Sequence, residues 1–133
     1  MGNEARDTSS GIQGTAEVVQ VKEVDPHGLD QHVAGAKLDG DKPDLSLLLM
    51  FGKALREVGV VGTFGARKYS RGGWQDVPNG EQRYTAALLR HLYAEHYEVS
   101  DPDSGLRHAT HAAWNALARL ELMLREEIED ATG

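Results

Sequence analysis

Apolar residues return at helical spacing through most of this chain, and three helices can be read from that rhythm. Leu45, Leu48, Leu49, Leu55 and Val58 predict a helix that turns these side chains to a core, with Asp44 as its N-cap. Gly59 and Gly62 weaken or interrupt it. A second helix is predicted from about Gly80 to Tyr97, with Asn79 at the N-cap and Gln82 in the capping-box position. At 100° per residue, Tyr84, Leu88, His91, Glu95 and Glu98 fall within roughly an 80° stripe of it. Ala87, Leu89 and Leu92 supply apolar contacts on its other faces. In SDPDSG, Pro102 stops that helix, and Asp103 or Ser104 is placed to cap a third, from about Leu106 to Ile128. The main apolar side of the third is Ala113, Leu117, Leu120 and Leu124, with Trp114 at the edge. His108, His111, Asn115 and Arg119 line a different side, which either meets solvent or closes a site opposite His91 and the carboxylates.

The N-terminal quarter follows another pattern. Residues 1–15 are rich in Gly, Ser, Thr and charge, the composition of a disordered segment. Ala16 to Val24, AEVVQVKEV, partly alternates apolar and polar and predicts one short strand or arm. A lone strand is marginal unless an edge or a partner chain receives it. The expected organisation is a flexible arm over 1–33, a helical domain over 34–128 and a tail over 129–133. The expected fold class is all-α, a small bundle of three to four helices with a polar, largely disordered arm. Both long helices carry more than one apolar side, which predicts a homodimer or higher homo-oligomer.

Composition narrows the chemistry. There are no cysteines, which excludes disulfides, thiolate metal sites and cysteine nucleophiles. The net charge of −7 is carried by the ends: residues 1–33 hold −4 and Glu126–Asp130 hold −4, leaving +1 on the body. A nearly neutral body argues against direct nucleic-acid binding but leaves room for a small anion gripped by local cations. No apolar run is long enough to span a membrane, and the polar start MGNEARDTSSG lacks a signal-peptide core, so a cytoplasmic location is expected.

Candidate chemistry is concentrated between Arg90 and Asn115, which hold four of the six histidines. His91, Glu95, Glu98, Asp101, Asp103, His108 and His111 are all candidate metal ligands or proton carriers, and sites of either kind need such convergence. In TFGARKYSRGGW, Arg67, Lys68 and Arg71 stand beside Phe64, Tyr69 and Trp74. Cations with aromatics suit a nucleotide's phosphates and base, although a helix end followed by a loop has the same composition. Lys37 and Lys42, in the turn-rich Gly35–Pro43 segment, are either phosphate contacts or solvated loop lysines.

Taken in order, these residues resemble a family. The GxKxDxxKP pattern of Gly35, Lys37, Asp39, Lys42 and Pro43 comes first, then FGARKY at Phe64–Tyr69 with Trp74, then Arg90-His91-Leu92. Glu98, Asp101, Pro102, Gly105, His108, His111 and Asn115 complete it. The chain resembles the N-terminal domain family of phage dATP/dGTP diphosphohydrolases, relatives of MazG-like all-α nucleotide pyrophosphohydrolases. The resemblance implies metal-dependent hydrolysis of purine deoxynucleoside triphosphates to monophosphate and pyrophosphate, in the host cytoplasm if the protein is phage-encoded. Glu95, Glu98 and Asp101 would hold Mg2+ or Mn2+, hard cations that favour oxygen ligands. Glu95 and Glu98 match the first half of the MazG E-x-x-E/E-x-x-D signature, whereas Glu127 and Asp130 match the second only as part of an acidic tail. His91, His108, His111 and Asn115 would be catalytic, as further ligands or as base. Lys37, Lys42, Arg67, Lys68 and Arg90 would contact phosphate, with Tyr69 or Trp74 against the base. The alternatives are a catalytically silent nucleotide-binding or sequestering protein on the same fold, and a phage–host interaction module using the arm and acidic tail.

Overall fold

Asp25 organises the first of the two units into which the chain divides, Met1–Leu47 and Leu48–Gly133, in the computed structural model, which describes residues 23–133. Its carboxylate accepts the backbone N–H groups of His27, Leu29 and Lys37 at 2.7, 3.3 and 2.8 Å. The bond from Lys37 is the main cause holding the Asp25 carboxyl below its ordinary range, against the opposing effect of burial. The loop closed in this way joins residues on both sides of position 33. The strand expected over Ala16–Val24 lies, apart from its last two residues, outside the described residues, and those two have no regular structure.

Asp44 does cap the segment after it, accepting the Ser46 N–H at 3.0 Å, but Leu45–Phe51 winds as a 3-10 helix. The first α-helix, α1, is Gly52–Lys68. Leu45, Leu48, Leu49 and Leu55, expected against a core, are exposed, and Val58 is only partly covered. The buried residue of α1 is Val61, on the stretch where the helix meets its neighbour. Gly59 and Gly62 do not interrupt α1. A Cβ at Gly62 would lie 2.6 Å from the Trp114 ring, so the glycine lets an indole approach the helix backbone. Packing here outweighs the modest propensity cost of the glycine.

After a short 3-10 turn at Gly73–Asp76, α2 runs from Gly80 to Ala94 and α3 from His108 to Thr132. Asn79 precedes α2 in the left-handed region (φ 53°), so its side chain makes no cap and the expected capping box does not form. Asparagine tolerates that conformation better than most residues. Gly80 abuts Leu122 of α3, which a Cβ would meet at 2.7 Å. The second helix ends at Ala94, not Tyr97, and in the turn that follows the N–H groups of His96 and Tyr97 reach back three residues, to the Tyr93 and Ala94 carbonyls. The connector closes on an antiparallel bridge between Ser100 and Arg107. Asp103 and Ser104 do not cap α3, which starts after an extended Arg107 with no side-chain cap.

The face that α3 turns inward is the polar one. Its buried residues are His108, Thr110, His111, Ala112, Asn115 and Ala118, while Leu117 and Leu120 remain 51% and 49% exposed. The expected apolar side therefore is not the core side. Among the described residues the buried apolar side chains are Val61, Ala94, Ala112 and Ala118, all small, and small side chains let helices approach closely.

The two α1 glycines separate backbone preference from packing. Gly59→Ala, in open space, should raise stability by up to ~1 kcal/mol through helix propensity. Gly62→Ala should instead lower it by ~1–3 kcal/mol, since Trp114 must move. Urea unfolding followed by circular dichroism checks both, and equal stabilisation by the two would remove the close approach.

Candidate functional site

The N-terminal half of α3 faces the C-terminal end of α2 across a cleft, and three histidines meet there. His91 Nδ1 lies 2.8 Å from His108 Nδ1, and the His91 ring stacks on His111 with centroids 4.5 Å apart and planes 7° from parallel. His108 Nε2 lies 3.0 Å from a Glu98 carboxylate oxygen, and His111 Nε2 lies 2.6 Å from Ser104 Oγ. A carboxylate only accepts, so Glu98 makes His108 Nε2 the N–H donor and leaves the His108 Nδ1 lone pair facing His91. Neutral His91 then donates from Nδ1, and its own Nε2 lone pair is free. Asn115 donates from Nδ2 to the His111 carbonyl one turn earlier, at 2.8 Å.

Asp101 completes the group from the connector. One of its carboxylate oxygens, Oδ1, accepts the N–H groups of Asp103 and Ser104 at 2.7 and 3.3 Å, which fixes the side chain and leaves Oδ2 uncommitted. Donor atoms of His91, Asp101 and His108 lie within 4.8 Å of one another, close enough to share one cation. Burial pushes the Asp101 carboxyl up, but the two N–H donors and the nearby His111 and His91 outweigh it and leave the group below its ordinary value. Burial, the largest cause for both, lowers His91 and His111; Asp101 opposes it at each, and neighbouring imidazoles add to it. Both shifts favour the neutral form, in which imidazole can take a proton or hold a metal.

Around this group the cleft is basic, although the chain is acidic. Arg67, Lys68, Arg71, Arg83 and Arg90 line it, against Glu98, Asp101 and Asp103. Lys68 pairs with Asp103 at 2.6 Å across the exposed rim, and that bond is the main cause raising its ammonium above the ordinary range. Its Nζ also stands 5.4 Å from the centre of the Tyr69 ring, which is mostly exposed. Trp74 lines the cleft but is engaged elsewhere: it meets Trp114 and Tyr84 edge-on, and the Arg125 guanidinium lies 5.5 Å from its ring centre.

The structure thus gathers His91, Glu98, Asp101, His108, His111 and Asn115 with Arg67, Lys68, Tyr69, Trp74 and Arg90 on one cleft. Glu95, the C-cap of α2, is not among its lining residues and is exposed. Lys37 and Lys42 belong to the first unit, where the Lys37 backbone serves Asp25. Arg83 and Ser104 are site residues that the pattern of chemistry-bearing side chains did not single out. Arg83 had a signal, since it precedes Arg90 by seven residues and so shares its helix face. Ser104 had none, because its contact depends on how the connector folds.

A family model described as dATP/dGTP diphosphohydrolase, N-terminal, matches residues 32–132. No curated protein and no solved structure matches the chain.

The lowered histidines set a pH dependence. An imidazole that resists protonation when folded but not when unfolded stabilises the fold above the ordinary value near ~6.5, and that contribution is lost as pH falls below it. Metal-free protein should therefore show a falling urea midpoint between pH 7.5 and 5.5, and His111→Asn should flatten the slope. A midpoint that rises on acidification would contradict the burial of these rings.

Proposed function

The chain belongs to the dATP/dGTP diphosphohydrolase N-terminal domain family, and on that basis we propose that it hydrolyses purine deoxynucleoside triphosphates, dATP or dGTP, to monophosphate and pyrophosphate. The observation that carries the reading is the joining of a His–Asp–His group to five cations on one cleft. Phosphoanhydride hydrolysis needs both parts, cations for the polyphosphate and a site that positions and deprotonates water.

Arg67, Arg71, Arg83 and Arg90 take the phosphates, and Lys68 joins them by exchanging Asp103 for a phosphate oxygen. Tyr69, mostly exposed at the rim, offers its face to the base. A divalent cation, Mg2+ or Mn2+, held by His91, Asp101 and His108 would offset charge on the phosphates and favour ionisation of water. His111, neutral and stacked on His91, receives the proton as water attacks the α-phosphorus and pyrophosphate departs. Glu98 acts through His108, and Asn115 fixes the first turns of α3.

A triphosphate panel with Mg2+ or Mn2+, scored for both binding and products, tests the reading. Purine deoxynucleotides should give monophosphate and pyrophosphate in equal amounts, and Glu98→Gln should lower turnover at least ~tenfold while leaving the helical signal intact. Binding with full return of the triphosphate would replace the hydrolase by a sequestering protein.

We also propose that the protein works as a homodimer or larger homo-oligomer. Leu89, Leu92, Leu117 and Leu120 are all between 45% and 59% exposed, and no large side chain among the described residues is fully buried. A chain this small is stabilised by covering such surface. Sedimentation should return a multiple of 14.5 kDa, and Leu117→Glu should reduce it. A well-folded monomer at micromolar concentration would contradict the proposal.

A further inference from the structure

The geometry points to a single site, built by His91, His108 and Asp101 with Glu98 behind His108, that selects a first-row transition ion over Mg2+. The inference rests on the functional reading above and deepens it by naming the class of its metal.

Two of the three donors are imidazole nitrogens. Imidazole suits Mn2+, Co2+, Ni2+ and Zn2+, whereas Mg2+ prefers carboxylate, phosphate and water oxygen. Two histidines and one carboxylate leave other positions of an octahedral ion open. Spacing is compatible: bonds of about 2.1 Å at right angles place two donors about 3.0 Å apart, and the two Nδ1 atoms stand 2.8 Å apart. In the metal-free protein one of these nitrogens has to carry a proton. When His91 shifts that proton to its free Nε2, both Nδ1 lone pairs face the same point and no net proton is released.

Support behind the donors is the second observation. Metal-bound histidine characteristically gives its other N–H to a carboxylate, and Glu98 stands 3.0 Å from His108 Nε2. His108 is only 3% exposed, so this orientation is held inside the protein. His111, stacked at 4.5 Å, fixes the plane of His91. Asp101 is pinned through Oδ1 and offers Oδ2. The remaining carboxylates nearby are otherwise placed: Asp103 pairs with Lys68, and Glu95 is exposed outside the cleft. Glu98 spends one carboxylate oxygen on His108, so Asp101 is the carboxylate grouped with the two imidazoles, a donor set poor in the oxygen that Mg2+ prefers.

Calorimetric titration of the metal-stripped full chain with CoCl2, MnCl2 and MgCl2, without nucleotide, tests the inference. One equivalent of Co2+ should bind at least ~100-fold more tightly than Mg2+, with Mn2+ between them. His108→Ala and His91→Ala should each remove most of that discrimination, and Glu98→Gln should weaken Co2+ roughly 10–100-fold without abolishing it. Should the alanine variants not fold, spin-echo spectroscopy of wild-type protein loaded with Mn2+ still decides, because bound imidazole gives nitrogen modulation. Absence of nitrogen modulation, or equal affinities for Co2+ and Mg2+, would overturn the site. None of these readings requires turnover, so an inactive protein that binds Co2+ through nitrogen fails the hydrolase reading alone. Full turnover with Mg2+ by a protein without nitrogen coupling fails the metal site alone.

Discussion

Burying a row of polar side chains on α3 is the constraint from which the rest of the second unit follows. His108, His111 and Asn115 are each under 10% exposed, and a buried polar group is costly unless it is hydrogen-bonded. Each has a partner supplied from a different place: Glu98 from the turn after α2, Ser104 from the connector, and the helix's own backbone. Among the described residues no buried side-chain nitrogen or oxygen lacks a partner. The row is met where α2 has ended: Glu98, which pairs with His108, lies in the turn beyond Ala94. The connector that supplies Ser104 is itself held by the Asp101 carboxylate and the Ser100–Arg107 bridge. A polar network of this kind specifies one arrangement because partial satisfaction is worse than none.

The same constraint links stability to chemistry. Rings that are buried and neutral keep their lone pairs at physiological pH, and their partners decide where those lone pairs point. The five cations that line the same cleft give a chain of net charge −7 a locally basic site. Charge at a cleft acts on a ligand far more strongly than charge spread over tails, because low-dielectric walls focus it. The apolar side of α3 is left to the surface, where it is available to a second copy.

Much of this was legible in the sequence because it depends on local spacing. The pairing of two helices, the turn at Pro102 and the presence of His91 and the α3 histidines near it follow from helical periodicity, although the connector, residues 95–107, is longer than the turn expected. The all-helical class follows likewise, and residues 23–133 contain no strand. What was not legible depends on tertiary choice. Periodicity shows that α3 has an apolar and a polar side, yet it cannot say that the polar side goes inward; Leu117 and Leu120, on the apolar side, stay half-exposed while His108 and Asn115 are buried. Gly62 reads as a helix breaker until Trp114 is seen against it. Glu95 does sit one helical turn after His91, bonded to its carbonyl as the C-cap of α2, yet its side chain is exposed outside the cleft, which the stripe alone does not reveal. Asn79 has the composition of a cap and the backbone of a left-handed turn.

Histidine tautomers report the central network directly, through long-range proton–nitrogen correlation of metal-free protein carrying nitrogen-15 histidine at pH 7.5. His108 is expected as the Nε2–H tautomer and His91 as the Nδ1–H tautomer, each fixed, while the exposed His27, His32 and His96 average between forms. Six histidines all averaging in the same way would mean that the polar side of α3 faces water, and would contradict the account.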